Sequence, residues 1–169
     1  MNRDQDLLEA IKGLPDPEIP VITLGDLGVV RGIEREAGQC VVSITPTYSG
    51  CPATESIRED ILALLKREGE NDASVVMRYA PAWTTDWISE KGRRKLEAYG
   101  IAPPLACSSV TTRSSTVFPL HDRRKDPAIR CPRCHATQLE RISEFGSTPC
   151  KALYRCLQCL EPFDYFKPY

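Results

Sequence analysis

Two pairs of cysteines near the end of the sequence constrain its fold more than any other feature. Cys131 and Cys134 form one C-x-x-C motif, Cys156 and Cys159 form another, and 21 residues lie between the two motifs. Each motif places two sulfur atoms on one side of a turn, and a hairpin between the motifs brings the pairs together. Four tetrahedral thiolates suit zinc best and iron second. The pattern therefore predicts a four-cysteine zinc site, with two disulfides or four free thiols as the alternatives.

The chain divides into three parts by composition. Residues 128–169 are too few to form a stable apolar core by themselves. We therefore expect a bound metal to stabilise a β-rich zinc ribbon there. Residues 103–127 combine prolines, a Ser/Thr-rich stretch and a charged run, which is typical of a linker. Residues 1–102 have the length and apolar content of one small domain. The expected architecture is an α+β domain, a linker and a ribbon.

Periodicity within residues 1–102 predicts alternating helices and strands. Leu7, Leu8, Ile11 and Leu14 indicate an amphipathic first helix, while β-branched runs indicate strands. A second helix should bury Ile57, Ile61, Leu64 and Leu65, which recur at helical spacing. The predicted elements are helices over 4–14, 52–67 and 87–99 and strands over 28–34, 39–45 and 74–79.

Charge and hydropathy exclude several classes of protein. With 22 basic and 23 acidic residues the net charge is −1, which disfavours electrostatic binding to nucleic acid or to an anionic membrane. No apolar run approaches the roughly 20 residues of a membrane span. The start of the sequence is too acidic for a signal peptide, so we expect a cytoplasmic protein whose cysteines are reduced thiols or metal ligands.

Cys51 is the strongest candidate for a functional thiol outside the ribbon. It precedes a predicted helix start, where unpaired N–H groups and the helix dipole favour a thiolate, the form that binds metal. Two interpretations stay open: a small buried thiol, or a residue that holds iron or a cluster in transit. The only histidines, His121 and His135, lie beyond the domain, so a Cys/His hydrolase is poorly supported.

The segments DPEIPVITLGDLGVV and TPTYSGCPATE resemble the metal–sulfur cluster biosynthetic protein family over about residues 5–100. Members are small α+β domains tied to iron–sulfur protein maturation. Asp16 and Glu18 fall on the family's acidic turn motif, and Thr47 and Cys51 fall on its threonine and cysteine. The resemblance implies that Cys51, with Thr47, Asp16 and Glu18, relays an iron–sulfur cluster or iron. One Cys51 cannot supply four ligands, so a bound cluster would need a homo-oligomer, Cys107 or a partner.

The stretches PAWTTDW, SEFGSTPCKALYRC and EPFDYFK extend the resemblance to both predicted domains. They are similar to an accessory-protein family of the bacterial phenylacetyl-CoA epoxidase system, which degrades phenylacetate. The resemblance implies a non-catalytic role in maturing metal centres, with the oxygenase and reductase subunits and Fe–S assembly proteins as partners. Two other hypotheses are an electron carrier with iron in the four-cysteine site and a nucleic-acid-binding ribbon. His135 and Leu160 replace the glycine usual after a rubredoxin knuckle, which argues against the former.

The remaining cysteines and aromatics have plain expected roles. Cys40 should be core, Cys150 a free or packing thiol, and Cys107 an incidental linker thiol. Trp83 and Trp87 indicate core anchors, or else a protein-binding platform. The aromatics expected to pack under the ribbon or extend its edge strand are Phe163, Tyr165, Phe166 and Tyr169.

Overall fold

The computed structural model describes residues 3–48, 50–104 and 129–169. The chain forms two compact units: the first runs to Tyr99 and includes Tyr169, and the second is Gly100–Pro168. The sequence predicts a first domain that reaches residue 102. The division falls earlier because Ile101 and Ala102 pair with a strand of the second unit. Most of the predicted linker, with Cys107 and His121, lies outside the described residues.

The first unit contains four α-helices, a 3-10 turn and three strands among its described residues. The predicted α+β class is confirmed by this mixture of helix and sheet. The elements, in chain order, are α1 Arg3–Lys12, α2 Leu24–Leu27, β1 Val30–Glu36, β2 Gln39–Ile44, α3 Ala53–Arg67, β3 Ser74–Met77, the 3-10 turn Thr85–Trp87 and α4 Glu90–Tyr99.

The sheet of the first unit has the order β1-β2-β3. β1 and β2 are antiparallel, whereas β3 runs parallel to β2 after the α3 crossover. β2 is buried along almost its whole length because it is the central strand. Its Cys40 is 1% exposed, as expected of a core residue, and burial raises the pKa of this thiol.

Helix α3 packs through the face that its spacing predicted. Ile57, Ile61, Leu64 and Leu65 are all buried, and in α1 Leu7 and Ile11 are buried as well. Helix α3 begins one residue later than expected, since Pro52 has helical angles but stands at the N-cap. Pro52 thus separates Cys51 from the first helical residue.

Helix α2 and the loop around Trp87 are packed closely. Gly28 ends α2 with a φ of 71°, and a Cβ atom there would lie 2.7 Å from the Trp87 carbonyl oxygen. Only glycine fits this position. The predicted helix over 87–99 is split: Ile88 is extended, and the Ser89 hydroxyl accepts from the Gly92 N–H to begin α4.

The second unit is a four-stranded sheet that carries the cysteine pairs. Its strands are β4 Ile101–Ala102, β5 Leu139–Ser143, β6 Lys151–Cys156 and β7 Pro162–Phe166, in the order β4-β7-β6-β5. Tyr154 on β6 stacks on Phe163 and meets Tyr165 edge-on, with ring centroids 6.1 and 5.7 Å apart. The predicted β-rich ribbon is confirmed, but the placement of Tyr169 in it is wrong, because that residue belongs to the first unit.

Candidate metal centre and cysteine loop

The sulfur atoms of Cys131, Cys134, Cys156 and Cys159 all lie within 4.8 Å of one another. Across the hairpin, the sulfur of Cys131 lies 3.7 Å from that of Cys159, and the sulfur of Cys134 lies 3.5 Å from that of Cys156. Tetrahedral zinc, with Zn–S bonds of about 2.3 Å, separates its sulfur ligands by about 3.8 Å. The four cysteines therefore form a metal-binding site whose size fits a single tetrahedral ion.

The two cysteine turns have matching backbone geometry. The Cys131 N–H donates to the Ala136 carbonyl at 2.9 Å, and the Cys156 N–H donates to the Glu161 carbonyl at 3.0 Å. His135 and Leu160, at equivalent positions, have positive φ angles of 60° and 62°. Both turns thus adopt the left-handed conformation that glycine favours. The absence of glycine at these two positions therefore does not indicate whether the site prefers zinc or iron.

The pKa values of the clustered cysteines differ because their surroundings differ. The N–H groups of Cys159 and Gln158 outweigh burial and lower the pKa of Cys156 to about 6. The Ala136 N–H lowers the pKa of Cys134, but burial and the neighbouring thiols dominate and raise it to about 12. Without a cation, ionisation of all four neighbouring thiols is unfavourable because the thiolates repel one another. A bound metal ion compensates these negative charges.

Within residues 3–48, 50–104 and 129–169, these cysteines are the one group of three or more Cys, His, Asp or Glu side chains placed to hold a metal. Cys150 stays outside the cluster. It is buried, and its sulfur lies 3.0 Å from the Thr148 hydroxyl. His135 does not join the cluster either, although it directly follows Cys134.

Cys51 lies in a turn between β2 and α3. Its N–H donates to the Tyr48 carbonyl at 3.3 Å, and its own carbonyl accepts from the Thr54 N–H at 3.2 Å. The main chain of Cys51 therefore connects the turn to the helix, and its thiol is half-buried.

A cleft of about 350 Å³ adjoins this turn. Thr47, which the resemblance paired with Cys51, lines it, and so does the ring of Tyr48. The other lining residues are Thr45, Pro46, Tyr79, Ala82, Trp83 and Tyr169. The cleft thus combines threonine hydroxyls with an aromatic wall.

Asp16 and Glu18 occupy a turn before α2. One Asp16 carboxylate oxygen accepts the Glu18 N–H at 3.0 Å and the Ile19 N–H at 2.7 Å. Asp16 is 7% exposed and Glu18 half-buried. Because aspartate bonded to the following N–H groups is an Asx turn, these contacts give Asp16 a structural role. The two carboxylates and Cys51 do not form a second metal cluster among the described residues.

The aromatic wall of the cleft has no signal in the sequence pattern. Tyr79 is 62% exposed, and its place in the sequence indicates only the end of a strand. Tyr169 follows the ribbon in the chain, so its neighbours there suggest the wrong unit. Trp83, by contrast, is a core anchor as expected, since it is 4% exposed and its Nε1–H donates to the Leu27 carbonyl.

Two family models match different parts of the chain. Residues 4–76 match a model described as iron-sulfur cluster assembly protein, and residues 115–167 match the PaaD zinc beta ribbon domain. A curated relative from Escherichia coli K12, named as the D component of 1,2-phenylacetyl-CoA epoxidase, is 47% identical over 91% of this chain and 86% of its own length. The chain belongs to the PaaD family of phenylacetyl-CoA epoxidase components. The family resemblance read from the sequence is thereby confirmed.

Two further relatives concern the first unit of this PaaD family member. An Fe-S protein maturation auxiliary factor from Porphyromonas gingivalis is 29% identical over 57% of this chain and 92% of its own length. A solved domain of unknown function, DUF59, from Bacillus anthracis has a TM-score of 0.50 and 23% identity, covering 55% of this chain and 90% of its own. The latter supports the fold alone. Separately, none of the described helices has the length and apolarity that crossing a membrane requires.

Proposed function

We propose that this chain is a non-catalytic accessory protein of a bacterial phenylacetyl-CoA epoxidase system. It assists the assembly of an iron centre or Fe–S cluster in the oxygenase or its reductase. The observation that carries the proposal is the half-buried Cys51 in a turn whose Thr47 and Tyr48 line a cleft, within the region that matches the Fe–S assembly model. The Escherichia coli relative supports the link to the epoxidase system, and the maturation-factor relative supports a role in Fe–S protein maturation.

In this proposal the two units have different tasks. The four-cysteine site holds zinc, which stabilises the ribbon as a docking module and takes no part in transfer. Cys51 binds iron or an edge of a cluster as a transient ligand, and Thr47 of the same loop assists it. Because one thiolate binds far more weakly than four, the cargo can pass to a client that offers a complete ligand set. The other ligands come from a second copy or from the client.

The test is metal loading of the client. The epoxidase oxygenase and reductase would be produced with the native chain, with Cys51→Ser, or with neither, and their iron and acid-labile sulfide measured after anaerobic purification. We expect Cys51→Ser to lower loading to the level found without the chain. Cys40→Ala, which removes a buried thiol from the same unit, is the matched control and should keep loading. Full loading with Cys51→Ser would refute the relay.

An electron carrier is the second candidate function. It is favoured by the half-buried position of Cys134 and Cys159, which leaves one edge of the metal site accessible. Iron bound by four thiolates would give a coloured protein with a reversible redox transition. Metal analysis and an absorption spectrum of the intact chain decide between the candidates. One colourless zinc per chain excludes the carrier, whereas one redox-active iron excludes the structural zinc.

A further inference from the structure

Tyr169 is held firmly in the first unit by two residues of its core. Its backbone carbonyl accepts the Thr85 N–H at 3.2 Å, and its ring lies 6.3 Å from that of Trp83, tilted by 58°. Thr85 is fully buried, and its carbonyl accepts from Arg93 at 2.7 Å. Trp83 is fixed by its hydrogen bond to Leu27. Tyr169 therefore contacts two buried residues whose own positions are fixed by hydrogen bonds within the first unit.

Tyr48 connects this base to the cysteine turn. Its ring is stacked on that of Tyr169, with centroids 6.2 Å apart and planes 17° from parallel. The carbonyl of the same Tyr48 accepts the Cys51 N–H. A chain of direct contacts therefore runs from Trp83 and Thr85 through Tyr169 and Tyr48 to Cys51.

We propose that Tyr169 is a positioning residue for Cys51. By stacking on the Tyr48 ring, it restrains the turn that carries the thiol, and both rings line the same cleft. Without the Tyr169 ring, the turn is less restrained. The Cys51 sulfur then becomes more exposed, and its position is less well defined. The inference deepens the proposed function, because it matters biologically only if Cys51 carries cargo.

The experiment measures the reactivity of each thiol in the full, metal-loaded chain. Iodoacetamide is the probe, and peptide mass spectrometry separates Cys51 from Cys40 and Cys150. We expect Tyr169→Ala to speed alkylation of Cys51 by about three- to tenfold, the range of population change when one aromatic pair is lost. Tyr169→Phe keeps the ring and should restore the native rate. Tyr99→Ala, which removes an exposed tyrosine of the same unit, should leave it unchanged.

Two results would contradict the proposed positioning role of Tyr169. One is a native Cys51 rate in a folded Tyr169→Ala protein. The other is an equal acceleration at Cys40 and Cys150, which indicates general loosening. If Tyr169→Ala does not fold, Tyr169→Leu removes the flat ring face but keeps apolar volume, and the same comparison applies. No client is present in this assay, so its outcome is independent of the loading experiment that tests the relay.

Discussion

Neighbouring atoms distinguish three chemical environments among six of the cysteines that the structure describes. Cys40 sits in the central strand, where burial raises its pKa and keeps it a thiol. Cys51 is half-buried in a turn, and its main-chain N–H and carbonyl are both hydrogen-bonded. The four clustered cysteines of the ribbon share a site sized for one tetrahedral ion. Residue type alone does not distinguish these roles, whereas burial and neighbours do.

Cys156→Ser should abolish metal binding, and Cys150→Ser should not. A serine hydroxyl is a poor ligand for zinc, and three remaining thiols cannot close the site. Cys150 is matched because it lies in the same ribbon, is buried, and stays outside the cluster. Metal content per chain, measured after gel filtration, checks the prediction. Equal metal loss in both variants would mean that Cys150 belongs to the ligand set.

Asp16→Ala should destabilise the first unit by about 1–3 kcal/mol, because two N–H groups lose their acceptor. Asp16→Asn keeps a side-chain oxygen in the same place and should cost less. Urea unfolding followed by tryptophan fluorescence measures this unit, since Trp83 and Trp87 both lie in it. If Asp16→Asn is stable yet lowers client loading, the carboxylate has a role beyond the turn.

Helices α2 and α4 are joined through one buried carboxylate. Asp26 accepts from Lys95 at 2.5 Å, from the Ser89 hydroxyl at 3.1 Å and from the Thr23 N–H at 3.2 Å. Burial alone would raise the pKa of Asp26, but these hydrogen bonds outweigh it and lower the pKa. The capping box of α2 and its contact with α4 therefore depend on the same ionised group.

Asp26→Asn should destabilise the first unit by about 1–3 kcal/mol at neutral pH. Since folding lowers the pKa of Asp26, its stabilisation is fully present above about pH 4 and is lost as the pH falls through the folded-state pKa. The difference between native and Asn proteins, measured by tryptophan-detected urea unfolding, should therefore shrink in acid. A difference independent of pH would assign the effect to packing.

The whole molecule combines a unit with a large apolar core and a unit whose core includes candidate metal ligands. The first unit buries residues from α1, α3 and β2 around its sheet. The described core of the second is a small cluster in which two of the buried residues are the ligands Cys131 and Cys156. We therefore expect metal binding there to contribute to the folding free energy of this unit.

Chelation should unfold the second unit selectively. We expect amide protection of β6 and β7 to be lost after removal of the metal, while α3 and β2 remain protected, because only the second unit uses metal ligands as core. Hydrogen exchange with mass spectrometry, with and without chelator, checks this. Reloading with zinc serves as the control and should restore protection. Equal loss of protection in both units would show that the chain unfolds as one.

Local chain chemistry was enough to determine much of this protein. The C-x-x-C spacing predicted the metal cluster, and the spacing of Ile57 and Ile61 predicted the buried face of α3, because both depend on residues close in sequence. The Asx turn at Asp16 is similarly local.

Only the tertiary structure brought Asp26 to Lys95, 69 residues apart, or stacked Tyr48 on Tyr169. Neither pair has a periodic or spacing signal, since each contact arises only when separate elements pack. The cleft lined by Thr47 and Tyr48 likewise exists because the chain folds distant aromatic rings against one short segment.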